Sequence, residues 1–122
     1  MDKRVVKLTY GPLWGYNDPN MTERRVELPI ADWFKEEFKD NLIEIGEVTP
    51  FYQTTNHTVY DLTNEHDATI VKDAIDVDYT GANVFSISTI EHVGTGEYNQ
   101  PKDEKKALKL LDKIKKESKN YL

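Results

Sequence analysis

Apolar runs in this chain stop at two or three residues. That excludes a membrane-spanning helix, which needs about twenty. It also means that each helix or strand must gather its apolar residues onto one face by its own period, 3.6 or 2. Leu, Ile, Val and Phe still make up about a quarter of the 122 residues. That is above the level of roughly one fifth that marks disorder, and at this length it is enough for one core rather than two.

Two periods alternate along the chain. Residues 4–10 and 25–30 alternate as half-buried strands, with Val26, Leu28 and Ile30 on one side and Arg25 and Glu27 on the other. Pro29 places the second of these at a sheet edge. Between them, residues 11–22 carry Gly, Pro, Asn and Asp so densely that they read as a long loop. Asp32 can cap a helix to Ile45, on which Trp33, Phe34, Phe38, Leu42 and Ile45 share a face and Gly46 gives the stop.

The pattern then repeats. Residues 48–53 and 58–62 read as a hairpin, and Asn64 opens a short helix with Ala68, Val71 and Ile75 on one stripe. Residues 75–79 and 84–93 read as a second hairpin. Pro101 then starts an amphipathic C-terminal helix bearing Ala107, Leu108, Leu111 and Ile114. The predicted order is ββα-ββα-ββα. It implies a single α+β domain over 1–122 with a mostly antiparallel sheet of about six strands and two to three helices.

Charge is placed unevenly. The formal net charge is -6, but residues 26–99 hold fifteen acids and three bases while residues 100–122 hold eight bases and four acids. An acidic balance disfavours direct binding to nucleic acid. With no cysteine there is no disulfide, thiolate metal site or cysteine nucleophile, which suits a reducing, cytoplasmic setting. The start of the chain has no apolar stretch after its charges, so no signal peptide and no membrane attachment are expected.

The candidate chemistry is sparse. His57, His66 and His92 have carboxylates nearby in sequence, but no two of them stand at the spacing of a helical metal pair. Gly94-Thr95-Gly96 lacks the Lys-Ser/Thr ending of a phosphate loop. Ser86 and Ser88 alternate along a strand and have no nucleophile elbow around them. No cofactor and no metal are therefore expected.

The feature with a mechanism at the scale of the whole molecule is Asp61, Glu65, Asp67, Asp73, Asp76 and Asp78, which lie within eighteen residues beside one base, Lys72. Unpaired carboxylates stay at the surface, and such a zone attracts basic partners and speeds their encounter. Trp14 and Tyr16 in the 11–22 loop can act as aromatic anchors beside it, or fold back to close the core.

The sequence thus points first to a non-enzymatic acidic protein that docks on a basic protein surface. Such a protein would be of the inhibitor, immunity or phage-accessory type, and would compete with nucleic acid for a positive groove. The alternatives are a small-ligand or nucleotide binder walled by the 11–22 and 94–100 loops, and a small hydrolase working through His and Asp. The amphipathic tail is also compatible with a homodimer.

Overall fold

The computed structural model describes residues 22–122. The strand expected at 4–10 lies outside the described residues, as do Trp14 and Tyr16.

Helix α1 (Arg24–Glu37) runs through residues that also alternate like a strand. The helical period wins because Leu28, Ala31 and Phe34 repeat at three-residue spacing and all three are buried. Pro29 inside the helix removes one backbone donor without ending it. The strand predicted over 25–30 is therefore helix. The helix predicted over 32–45 ends at Glu37, where Phe38 leaves helical backbone, and Asn41 with φ +47° then turns the chain into a strand.

Strand β1 (Leu42–Ile45) follows, then β2 (Thr58–Asp61), β3 (Thr69–Val71), β4 (Asn83–Ser86), helix α2 (Lys106–Glu117) and β5 (Asn120–Tyr121). Three single 3-10 turns, Thr49–Phe51, Ala74–Asp76 and Ile90–His92, punctuate the connections.

The strands form one sheet in the order β3-β2-β1-β4-β5, and every pairing in it is parallel. This overturns the mostly antiparallel sheet and its ββα order. The domain is α+β with two helices and five parallel strands among the described residues. The misreading has a physical source. Parallel neighbours normally announce themselves by a crossover helix, but here residues 46–57, 62–68 and 72–82 bring the chain back with at most one 3-10 turn each. Connections so short look like hairpins in sequence.

Both faces of the sheet are covered. Leu42 of β1 and Phe85 and Ile87 of the β4 segment pack under α1 with Leu28, Ala31 and Phe34. Ile43 and Ile45 of β1 and Val84 of β4 pack on the opposite side under Leu110 and Ile114 of α2. Alternation along the strands thus sorts apolar residues between two cores rather than between core and water.

The segment 77–79, expected to be a strand, instead lies beneath α2, where Val77 and Tyr79 are buried. The Tyr79 hydroxyl donates to the Ala74 carbonyl at 2.7 Å. Desolvation, reinforced by the negative charges of Glu117 and Asp73, pushes its pKa well above that of a free tyrosine. A raised pKa contributes stability that is complete below the ordinary tyrosine value of about 10 and is lost as pH rises past it, because only the unfolded chain then gains by ionising. Tyr79→Phe should cost about 1 kcal/mol at neutral pH through the lost hydrogen bond, and should lose less stability than the parent on going to about pH 11. Urea unfolding at both pH values measures this. An equal alkaline loss in the two proteins would contradict it.

Candidate functional site

In the sheet order, β1, β2 and β3 run to one side, and β4 and β5 lie on the other. The direction of progression therefore reverses between β1 and β4. Open parallel sheets bind ligands outside the carboxyl ends of the strands at such a reversal. Here that place is a crevice of about 290 Å³. Its floor comes from Ile45 to Val48 after β1, one wall from Asp61 to Thr63 after β2 with Lys72 and Asp73 after β3, and the other wall from Ser88 and Thr89 after β4.

Gly46 makes the reversal possible. Its φ is +88°, and a Cβ there would sit 1.9 Å from the Thr89 Oγ1. Only a glycine lets the β1 and β4 connections approach this closely.

The floor is tied down by charged side chains. The Glu47 carboxylate is buried; it accepts from the Glu65 amide at 3.1 Å and pairs with Nδ1 of His66. Asp61 accepts from the Glu47 amide at 2.7 Å through one oxygen and from the Thr63 amide at 3.1 Å through the other. On the opposite wall Arg24 is 3% exposed, donates to the Ser88 hydroxyl at 3.1 Å and pairs with Glu27, to which Ser88 also donates at 2.7 Å. Burial is the largest single influence and opposes the Arg24 charge, but Glu27 and Tyr52 together outweigh it and hold the guanidinium pKa above its usual value. Ser88 itself has φ +44°, a strained setting of the kind that collects at ligand sites.

Beneath the floor lies a second polar cluster. Glu44, in the middle of β1, is fully buried. One of its oxygens accepts from the Val48 and Thr49 amides at 3.3 and 2.8 Å. The other accepts from the Thr49 hydroxyl at 2.5 Å and from Nε2 of His57 at 2.7 Å. A carboxylate only accepts, so this assigns the hydrogen to Nε2.

Each histidine thus has a glutamate partner, Glu44, Glu47 or Glu97, and none of these is a carboxylate adjacent to it in sequence. Among the described residues no group of three or more His, Cys, Asp or Glu converges as a metal site. The glycine pair at 94–96 closes its own loop. The Gly94 amide donates to the Gln100 side chain at 2.9 Å, and a Cβ on Gly94 would lie 2.1 Å from the Asp103 carbonyl.

The six singled-out carboxylates divide. Asp61, Glu65 and Asp73 line the crevice, and Asp73 is paired with Lys106 at the start of α2. Asp67, Asp76 and Asp78 are exposed away from it. Asp78 is anchored by Thr80, whose hydrogen bonds, from the side chain first and then the backbone, lower its pKa. Tyr98 and Gln100 of the 94–100 loop line the crevice as well. Sequence reasoning missed Arg24, Glu44 and Glu47. The signal for Glu44 was a carboxylate between Ile43 and Ile45, but it is visible only once these residues are recognised as a strand buried on both faces.

The site is therefore that of a parallel-sheet domain with a polar crevice at its strand-order reversal. Comparison of the chain with family models, with curated proteins and with solved structures finds no match. Among the described residues no helix is long and apolar enough to cross a membrane.

Proposed function

We propose that the protein is a non-enzymatic binding domain that takes a small polar ligand in the crevice at the carboxyl ends of β1, β2 and β4. The observation that carries this reading is the position of the crevice: three strand ends surround one opening at the strand-order reversal, and backbone amides donating to the Glu47 and Asp61 carboxylates tie the β1 and β2 ends together. The absence of cysteine fits the cytoplasmic setting read from the sequence.

A second reading keeps the basic partner expected from the charge pattern. It is favoured by Glu65, Asp67, Asp76 and Asp78, which remain exposed and form no ion pair among the described residues. On this reading the docking surface is the acid-rich connections after β2 and β3.

A thermal-shift screen with polar metabolites and a lysine-rich peptide tests both. At a hundredfold excess over Kd, a crevice ligand adds about 2.7 kcal/mol, a shift of several degrees. That shift should vanish in Thr63→Trp, where an indole from the exposed crevice wall fills the opening. A hit that persists in Thr63→Trp, or no hit at all, rejects the crevice. A peptide shift that fades as salt rises supports the acidic surface instead.

A further inference from the structure

The lysines of α2 are sorted by side. Lys106 and Lys113, on its inner flank, pair with Asp73 and Glu117. Lys105, Lys109, Lys115, Lys116 and Lys119 are exposed, and none of them forms an ion pair among the described residues. Leu110 and Ile114 seat the helix on the sheet. At about 100° per residue, Lys109, Lys115 and Lys116 therefore lie on its outward half. Leu108 and Leu111 share that half at 67% and 46% exposure. The one acid of the helix there is Asp112, and Glu104, just before the helix, is paired with Lys102.

Two exposed leucines among unpaired lysines suit an occupant that is both negative and apolar. Nucleic acid supplies only the charge. The helix carries no arginine to fork a phosphate and no aromatic side chain to stack on a base. A second copy of the chain, packed across a two-fold axis through α2, would set this lysine-rich face against itself. A bilayer containing anionic lipid meets both needs. Lysine point charges require no fixed partner geometry, and their long stems let the ammonium groups stay among headgroups while the neighbouring leucines enter the acyl boundary. The helix is already formed and seated, so docking pays no folding cost.

We propose that the outward face of α2 docks on an anionic membrane surface, with Leu108 and Leu111 toward the lipid and the unpaired lysines among the headgroups. Residues 26–99 hold fifteen acids and three bases, so the charge asymmetry of the molecule turns this helix, rather than the acidic remainder, toward a negative surface. The short apolar runs that exclude a spanning helix do not bear on a contact of this kind. Docking through α2 does not depend on what the crevice holds.

Co-sedimentation of the full chain with phosphatidylcholine vesicles, with and without about 30 mol% phosphatidylserine, tests this. The expected result is binding to the phosphatidylserine vesicles in about 0.05 M salt, its loss in about 0.5 M salt, and none to phosphatidylcholine alone. Lys109→Glu with Lys116→Glu should weaken the binding at least about tenfold, since each lysine near such a surface contributes roughly fivefold. Leu108→Ser should weaken it about fivefold at unchanged charge. Both variants should keep the urea midpoint of the parent, because the replaced side chains are exposed. No binding at low salt, equal binding to the neutral vesicles, or binding indifferent to Leu108→Ser would each overturn the membrane face. Preference for a DNA duplex of about 20 base pairs over the vesicles would also overturn it, and would assign the lysines to phosphate backbones instead.

Discussion

Glu44→Ala is expected to cost about 3–5 kcal/mol, because it strands several buried hydrogen-bond donors at about 1–3 kcal/mol each. The loss arises because the Val48 and Thr49 amides, the Thr49 hydroxyl and Nε2 of His57 all lose their acceptor at once. None of these groups regains water, since Val48 and Thr49 are buried and the His57 side chain is 2% exposed. Against a total stability of about 5–15 kcal/mol for a domain, a loss of this size leaves little margin.

The control is the double replacement Glu44→Leu with His57→Leu. It removes the His57 donor together with its acceptor and should recover only about 1–3 kcal/mol, because the Val48 and Thr49 amides and the Thr49 hydroxyl still lack an acceptor. Denaturant midpoints for the two variants decide the matter. If Glu44→Ala lies within about 1 kcal/mol of the parent, the carboxylate does not hold the crevice floor.

The second large effect is expected at Gly46. An alanine there must adopt φ near +88° and place its Cβ against the Thr89 side chain. Left-handed strain of about 1–2 kcal/mol and overpacking of about 1–3 kcal/mol put the cost at about 2–5 kcal/mol. The two parts can be separated. Adding Thr89→Gly removes the clash and leaves the backbone strain, so the double variant should regain roughly half of the loss. Should the double variant be no better than the single one, the close approach of the two connections is not what requires glycine.

These two residues also show what the sequence could and could not reveal. Gly46 was legible as a stop, since a glycine after an apolar stretch marks the end of an element, but the element it ended is β1 rather than a helix. Leu42 and Ile45 kept the three-to-four spacing of the helix before them, and nothing local outweighed it except the turn residues Asp40 and Asn41. The C-terminal helix was legible as a helix but its face was not: it starts at Lys106 rather than Pro101, and Leu110 and Ile114 are buried while Leu108 and Leu111 of the expected stripe are exposed. Strands β3 and β5 are three and two residues long, too short for any period to register.

The site was legible only in part. Asp61, Glu65 and Asp73 stood out by density, and the ends of β2 and β3 bring them to one opening. Arg24 could not stand out, because its partners are Glu27 one helical turn away and Ser88 across the fold. Pairing between distant segments leaves no periodic trace. The histidine partners make the same point. His57 and His66 pair with Glu44 and Glu47, thirteen and nineteen residues away, and His66 does so although Glu65 and Asp67 stand beside it in sequence.

The walls of the crevice are made of connecting segments, whereas its floor is hydrogen-bonded to the interior. Thr63, Glu65 and Glu91 reach into solvent, and loop positions of this kind tolerate replacement. On the binding reading proposed above, exchanging wall residues changes the ligand at little cost to the fold. The stretch from Gly46 to Thr49 has no such freedom, so descendants should diverge in what they recognise well before they diverge in where they recognise it.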